Sequence, residues 1–362
     1  METIGTIEWL GKELGCTPEQ VDMGFWGDEE AISVEAFNAR LYHIENIYYS
    51  IESNKIKGIL ISVNNSSPTV IEKLIKENKD LENLCLWVES LSTMPDALQK
   101  LTRLSSLDIR WTNIKELPEW IGRLGRLTSL SICSNRIREL PDSIGDLAGL
   151  ASLDISYNKI TELPDSIGNI AGLTKLDMGG NQIATIPDSI RSLANLTTLD
   201  IGYNRITELP DWIGKLANLT TLDIGYNQIA ELPDWIGKLA NLTTLDIGYN
   251  RITELPDWIG KLANLTKLFM SMNKFTELPE SIGNLTGLTS LDISRNGIRV
   301  LPDSIENLTG LTTLDISGNQ IAELPEWIES LTRLKTLDIS ENLITKSPDR
   351  IGKLANLTTL DN

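Results

Sequence analysis

The chain has 362 residues and a net charge of −18, and it is 41% hydrophobic and 23% charged. This balance excludes a disordered chain, and no apolar run approaches the roughly 18 residues that a membrane span needs. The acidic charge argues against a nucleic-acid groove, which requires a basic stripe. We therefore expect no nucleic-acid and no membrane partner, and the charge suits either a basic partner or solubility alone.

The N-terminal part, residues 1–55, shows apolar residues at three- and four-residue spacings, as in TIEWLGKELG and VEAFNARLYHIENIYYSI. This spacing predicts helices, which we expect to form a cap over the region that follows. The first residues lack the basic start and apolar core of a secretory signal. The sequence next predicts a degenerate first strand over residues 56–63 and a helix over residues 70–84.

From there to residue 362, one sequence pattern recurs every 23 residues. Twelve of the fourteen prolines share one position of the repeat, from Pro95 to Pro348, and its leading leucines run from Leu84 to Leu360. The sequence of residues 209–227 recurs letter for letter at 232–250. Such a period indicates a solenoid, in which neighbouring repeats cover the apolar face that one repeat cannot bury alone.

The repeat LxxLDIxxNxIxxLPDxIGxLxx resembles the leucine-rich repeat family in its LPxxIGxL form. The resemblance covers residues 56–362, about 13 repeats, and implies an α/β fold. That fold is a right-handed solenoid, a horseshoe or arc with a parallel concave sheet and a helical N-terminal cap. Within each repeat we expect a short strand over L-D-I and a convex helix or turn over L-P-D-x-I-G. The glycine there permits close approach or a positive φ.

Two polar columns accompany the strands. Asparagines occupy the turn after each strand, and their amides can satisfy backbone groups that the turn leaves unpaired. Aspartates between the inward leucine and isoleucine point out of the concave face. They either keep the sheet soluble or mark a surface for a basic partner. The aspartate column comprises Asp108, Asp154, Asp177, Asp200, Asp223, Asp246, Asp292, Asp315, Asp338 and Asp361.

Large side chains form a further column on the same face. Tyr203, Tyr226 and Tyr249 lead to Met272, while Phe269 takes an aspartate position in that last repeat. This repeat departs from the repeat pattern on an exposed face, which predicts a partner-binding site; neutral drift is the alternative. We expect Asp223, Asp246 and Asp292 to border the site. Trp87 and Trp111 lie near the same surface in the first repeats.

A tryptophan stripe follows the prolines, and we interpret it as packing, with a second contact face as the alternative. It comprises Trp120, Trp212, Trp235, Trp258 and Trp327. Cys16, Cys85 and Cys133 are too sparse for a disulfide framework, and His43 is the single histidine. We predict free thiols, no catalytic residue, no metal site and no cofactor.

The sequence stops part-way through a repeat at Asn362, without a C-terminal cap. We expect either a fragment of a longer chain or end-to-end self-association through the uncapped repeat. The predicted function is non-catalytic protein binding by a cytoplasmic scaffold through the concave face, and the resemblance suggests a bacterial host. The alternative is a recognition or regulatory arm of a larger enzyme, such as a Roco-type GTPase or a secreted bacterial effector.

Overall fold

The computed structural model describes residues 18–20, 46–52, 55–63, 68–345 and 351–362. Cys16, His43 and most of the expected N-terminal cap lie outside these residues. The chain divides into two compact units, residues 1–182 and residues 183–362, called unit 1 and unit 2 below. Within the described residues, no helix is long and apolar enough to cross a membrane.

Among its described residues, unit 1 contains one α-helix, α1 at Pro68–Glu77, and strands that adjoin one another in chain order. All described pairings are parallel except β2 with β3, which is antiparallel. The strands are β1 Pro18–Gln20, β2 Asn46–Glu52, β3 Lys55–Val63, β4 Asn83–Val88, β5 Ser106–Ile109, β6 Ser129–Ser131, β7 Ser152–Asp154 and β8 Lys175–Asp177. Its 3-10 helices are Asp96–Lys100, Glu119–Arg123, Asp142–Asp146 and Asp165–Asn169.

The helical prediction for residues 1–55 is wrong for residues 46–52. Residues 46–52 form β2 and pair antiparallel with β3, although their apolar spacing predicted a helix. Short apolar runs do not distinguish a helix from a strand, and here pairing with a neighbouring strand decides the outcome. The predicted first strand at 56–63 is confirmed as β3, and the helix predicted at 70–84 ends at Glu77, before β4.

In the part of unit 2 that the structure describes, short parallel strands alternate with 3-10 turns, so the predicted solenoid architecture is confirmed. The strands are β9 Thr198–Asp200, β10 Thr221–Asp223, β11 Thr244–Asp246, β12 Lys267–Phe269, β13 Ser290–Asp292, β14 Thr313–Asp315, β15 Thr336–Asp338 and β16 Thr359–Asp361. The 3-10 helices are Asp188–Ser192, Asp211–Lys215, Asp234–Lys238, Asp257–Lys261, Glu280–Asn284, Asp303–Asn307, Glu326–Ser330 and Ile351–Lys353.

The repeat beginning at Leu222 shows why this sequence folds in this way. Leu222 in β10 and Ile224 directly after β10 alternate with polar residues, and both side chains are fully buried. Pro233 is the N-cap of the next 3-10 turn, with an extended backbone, and its carbonyl accepts a hydrogen bond from the N–H of Ile236. Proline suits this position because it has no N–H to leave unpaired. Asp234 then opens the turn at its electropositive end.

The tryptophan stripe packs inside the fold, as the structural interpretation predicted. Trp212, Trp235 and Trp258 are each less than a tenth exposed. An added Cβ on Gly237 would lie 2.9 Å from the Cβ of Trp258, so this glycine serves close approach. Within the described ring contacts, these tryptophans do not stack on one another.

Candidate partner-binding site

The residue directly before each turn asparagine, or before Thr112 at the same position of its repeat, has a left-handed backbone, which is unusual for residues other than glycine. Tyr226 has a φ of 51°, and its N–H donates to the carbonyl of Gly248 in the next repeat at 2.9 Å. The next-repeat hydrogen bond and the turn that follows hold this conformation. In unit 1 this left-handed column comprises Trp111, Ser134, Tyr157 and Gly180. In unit 2 it comprises Tyr203, Tyr226, Tyr249, Met272, Arg295, Gly318 and Glu341.

Three consecutive tyrosines of this column form one stack, the tyrosine ladder of Tyr203, Tyr226 and Tyr249. Each neighbouring pair of rings has centroids 3.7 Å apart and planes 12° from parallel. Residues Tyr203 and Tyr249 are 48% and 37% exposed, so the stack is a surface feature and not part of the core. A hydrogen bond to the hydroxyl of Tyr226, followed by desolvation, raises the pKa of Tyr249.

Met272 continues the tyrosine ladder in the next repeat and is 38% exposed. The ladder and Met272 line a shallow open groove, together with the turn asparagines Asn204, Asn227 and Asn250. Aromatic and methionine side chains are enriched in the cores of protein interfaces. The structure therefore brings four of the predicted site residues together on one surface.

The turn asparagines have the structural role that the sequence predicted for them. The Asn227 amide donates to the carbonyls of Ile201, Ile224 and Gly225 at 3.0–3.2 Å. Its oxygen accepts the N–H of Ile206 at 2.9 Å. Each asparagine thus joins the strand end of its own repeat to the preceding repeat, and it fixes the base on which the tyrosines stand.

The aspartates of the strands also cap their own backbone. In Asp223 and Asp246, Oδ1 accepts the N–H of the glycine two residues later at 2.8 Å. In Asp292, Oδ1 accepts both the N–H and the hydroxyl of Ser294. This local hydrogen bond closes the strand end, as in an Asx turn. It gives the column a structural role alongside any contact with a partner.

Two neighbouring carboxylates of this column, Asp223 and Asp246, repel each other electrostatically. Asp223 and Asp246 are directly paired residues of β10 and β11. Desolvation and the charge of Asp223 raise the pKa of Asp246 to about 6, against the opposing hydrogen bond from Gly248. Desolvation also raises the pKa of Asp223. A cation of a partner placed beside this pair would relieve the repulsion.

Phe269 replaces an aspartate in β12 and pairs directly with Asp246 on one side and Asp292 on the other. It is half-buried and is not among the residues that line the groove. Phe269 thus interrupts the acidic column three residues before Met272 in the same repeat. The apolar residues and the three aspartates of the predicted site, Asp223, Asp246 and Asp292, therefore occupy adjacent columns of unit 2.

Beyond Met272, the left-handed column of unit 2 becomes charged. The Arg295 side chain packs over Gly318, where an added Cβ would lie 2.8 Å from its Cγ. Its guanidinium lies 3.6 Å from the carboxylate of Glu341, and both side chains are more than half exposed. An exposed pair of this kind contributes little stability. The apolar part of the column therefore ends at Met272.

Trp87 and Trp111 form a separate aromatic cluster in unit 1, with ring centroids 5.3 Å apart in an edge-to-face arrangement. The Arg110 guanidinium lies 5.6 Å and 5.8 Å from these two rings, and it makes a bidentate ion pair with Asp108. Burial raises the pKa of Asp108, although Arg110 opposes this effect. The sequence analysis named the two tryptophans as site residues but did not name Arg110.

The described thiols do not have the character of nucleophiles. Cys85 and Cys133 are free. Burial, followed by the charge of Asp154, raises the pKa of Cys133 to about 12, and burial also raises the pKa of Cys85. A thiol with a raised pKa remains protonated at neutral pH and reacts poorly. Among the residues that the structure describes, no group of histidine, cysteine and acidic side chains is arranged to hold a metal.

Comparisons with known families match most of the repeat region. A model described as a leucine-rich repeat region matches residues 213–296 and 290–362. A second model, described as a leucine rich repeat, matches residues 125–183 and 185–229. No curated protein matches the chain.

Several solved structures have a similar fold. A leucine-rich repeat protein of Leptospira interrogans is 28% identical over 91% of this chain and 98% of its own, with a TM-score of 0.69. An internalin of Listeria monocytogenes is 22% identical over 91% of this chain and 94% of its own, with a TM-score of 0.74. A TDR receptor is 26% identical over 89% of this chain and 60% of its own, with a TM-score of 0.70.

Proposed function

This chain belongs to the leucine-rich repeat family, and from that premise we propose that it binds a protein partner without catalysing a reaction. The binding surface is the tyrosine ladder with Met272 and Phe269. The observation that carries this proposal is the surface stack of three tyrosines, of which Tyr203 and Tyr249 are exposed. The core does not require an ordered aromatic stack on the surface. Repeat domains of this family commonly serve as interaction modules.

The physical properties of the surface support this function. The rings of Tyr203, Tyr226 and Tyr249 are already ordered by stacking, and the turn asparagines hold the backbone beneath them. A preformed surface loses little conformational freedom on binding, so more of the contact energy appears as affinity. Large aromatic side chains also dominate the binding energy of most protein interfaces.

The charge around the surface favours a basic partner. Asp223, Asp246 and Asp292 adjoin the apolar residues, and the first two repel each other. A lysine or arginine of the partner would offset this repulsion while an apolar group contacts Met272. We expect the association rate to fall as salt rises from about 50 mM to about 500 mM, because screening weakens electrostatic steering. A rate independent of salt would remove the aspartates from the binding step.

Unit 1 offers a second contact surface at Trp87 and Trp111. Trp111 is 37% exposed and is held in place by Trp87 and by Arg110. Tryptophan and arginine are the residue types most enriched among binding hot spots. We propose that these residues contribute to partner binding independently of the tyrosine ladder.

A second candidate function is that of a recognition arm within a larger enzyme, such as a Roco-type GTPase or a secreted bacterial effector. The same surfaces would then recruit a substrate or regulate a catalytic domain. We place the protein in a bacterial cytoplasm, since Cys85 and Cys133 are free thiols and a Leptospira interrogans protein has a similar fold. The reading frame surrounding the source gene distinguishes a free binder from an enzyme arm.

Photo-crosslinking tests the proposed surface directly. A benzophenone amino acid replaces Met272, and in a matched control it replaces Val300, which is more exposed but lies outside the groove. We expect a discrete crosslinked partner from host extract with the probe at position 272 and little at position 300. Equal crosslinking at both positions would show that the groove has no special affinity.

A further inference from the structure

A second groove lies in unit 1, where three successive repeats lead from the end of a strand into a 3-10 turn. Its volume is about 710 Å³, which falls within the range of roughly 300–1,000 Å³ that is typical of ligand-binding sites. Met94, Leu117 and Leu140 occupy the same position of their repeats, line the groove and are each less than a tenth exposed. They form an apolar floor together with Pro118 and Pro141. We call this site the leucine–proline groove.

Acidic side chains border the leucine–proline groove on both sides of its floor residues in the chain. Glu116 and Glu139 directly precede the two leucines, and Glu119 and Asp142 directly follow the two prolines. All four acidic residues are exposed, and Lys115 is the one basic residue among those that line the groove. Four carboxylates and one ammonium group give the lining residues a net charge of −3.

The negative charge of the groove is not neutralised within the part of the chain that the structure describes. There, none of the four carboxylates makes an ion pair with a lysine or an arginine. Glu119 accepts a long hydrogen bond of 3.4 Å from the N–H of Ser143. Neighbouring carboxylates without a counter-charge repel each other, and a cation placed between them relieves that repulsion.

Acidity alone does not define the leucine–proline groove, because the same acidic positions recur in unit 2. Glu231 and Glu254 occupy the position of Glu116 and Glu139 in their repeats, and both are exposed. The feature that distinguishes the site is the combination of this charge with a cavity that has an apolar floor. The two glutamates of unit 2 therefore provide a control that is matched in charge and in position within the repeat.

We propose that the leucine–proline groove binds a basic segment of a partner protein, in which an apolar residue is flanked by lysine or arginine. The apolar side chain contacts Leu117 and Leu140, and the flanking cations contact the four carboxylates. Long basic side chains suit this arrangement, since their flexible apolar stems lie along an apolar surface while the charge stays in water. The site is separate from the tyrosine ladder and does not depend on it.

Titration with short peptides tests the chemistry of the leucine–proline groove. The probe is acetyl-Gly-Lys-Leu-Lys-Gly-amide, added to the isotope-labelled full chain and followed by the NMR signals of the Met94 methyl group and of the Leu117 and Leu140 amides. We expect saturable shifts at millimolar peptide. Replacing leucine by glycine should weaken binding at least about threefold, and replacing both lysines by glutamate should abolish it. Absence of saturable shifts, or equal binding of either control peptide, would overturn the proposal.

Two double variants locate the site. Glu116→Gln with Glu139→Gln should weaken binding of the lysine peptide at least about fivefold. Glu231→Gln with Glu254→Gln removes the same charge from unit 2 and should change the affinity less than about twofold. All four glutamates are exposed, so we expect both variants to fold, which thermal unfolding checks. Equal losses in both variants would assign binding to general acidity, and unchanged binding in the first would likewise contradict the proposal; if the first does not fold, the peptides still decide.

Discussion

Tyr226 and Tyr249 stack face to face with ring centroids 3.7 Å apart, while both residues have left-handed backbones with φ of 51° and 52°. A left-handed backbone costs a residue with a Cβ about 1–2 kcal/mol. The stacking contacts and the next-repeat hydrogen bond from each N–H offset this cost. The exposed surface is therefore built on strained backbone that the repeat architecture holds in place.

Substitution of Tyr226 separates the backbone strain from the stacking. Tyr226→Ala loses the ring and keeps the strain, whereas Tyr226→Gly loses both. We expect the glycine variant to be more stable than the alanine variant by about 0.5–1 kcal/mol, after the greater freedom of unfolded glycine is included. Chemical denaturation measures the difference. At Thr221 in β10, where no left-handed strain exists, the order should reverse; an alanine advantage at both positions would argue against strain.

Asn227 tests the hydrogen-bonded base of the groove. Asn227→Ala leaves the N–H of Ile206 and the carbonyls of Ile201 and Ile224 without their side-chain partner. We expect a loss of about 2–4 kcal/mol, because several buried polar groups become unsatisfied together. The matched control is Asn218→Ala, which removes one exposed hydrogen bond to Ala194 and should cost less than about 1 kcal/mol. Similar losses in both variants would contradict the assigned role.

Asp246 makes the stability of unit 2 depend on pH. Its pKa in the folded protein is about 6, above the unfolded value of about 4, so the folded state binds the proton more tightly. The resulting stabilisation is complete below the unfolded value and is lost as pH rises through about 6. Asp246→Asn should therefore be more stable than the natural protein by about 1–3 kcal/mol at pH 8, and equal to it near pH 4. An advantage that does not change with pH would contradict this account.

Gly122 and Gly125 provide a matched test of packing between repeats. An added Cβ at Gly122 would lie 2.4 Å from the carbonyl oxygen of Ser143, whereas one at Gly125 meets nothing within 4 Å. Gly122→Ala must displace backbone, and we expect it to destabilise unit 1 by more than about 2 kcal/mol. Gly125→Ala should be neutral or slightly stabilising. Thermal unfolding of the two variants decides this, and equal midpoints would count against the close approach.

The sequence predicted the solenoid and its core because both depend on periodicity. Leu222 and Ile224 had to face inward, and Asn227 had to satisfy a turn, whatever the partner of the protein is. The strand at residues 46–52 could not be predicted, since its antiparallel pairing with β3 depends on contacts that a short apolar pattern does not encode. The tryptophan stripe was correctly interpreted as packing.

The candidate site was predictable in its residues but not in its geometry. The exposed tyrosine column was visible in the sequence, yet nothing local indicated that Tyr226 would have a left-handed backbone. One signal was present: the same column contains Gly180 and Gly318 and no β-branched residue. The capping role of Asp246 also had a signal, because glycine or serine follows most of these aspartates two residues later. Arg110 was missed because its contact with Trp87 joins two repeats and is not visible in the local sequence.

The central proposal is that the apolar surface of unit 2 binds the partner. The Phe269→Asp, Met272→Tyr double variant restores the repeat pattern at both positions. The introduced carboxylate would regain a cap for the Ser271 N–H but would join Asp246 and Asp292 in register, so stability should change little. The partner captured by crosslinking supplies the ligand, and Val300→Glu supplies a control that removes an exposed apolar group elsewhere in unit 2.

The most direct measurement is a calorimetric titration of this partner into the natural chain, the double variant and the control, with folding checked by thermal unfolding. We expect the double variant to lose about 2 kcal/mol or more of binding free energy, a rise in Kd of about thirtyfold, while Val300→Glu binds normally. A well-folded double variant with an unchanged Kd would show that Phe269 and Met272 do not form the binding surface.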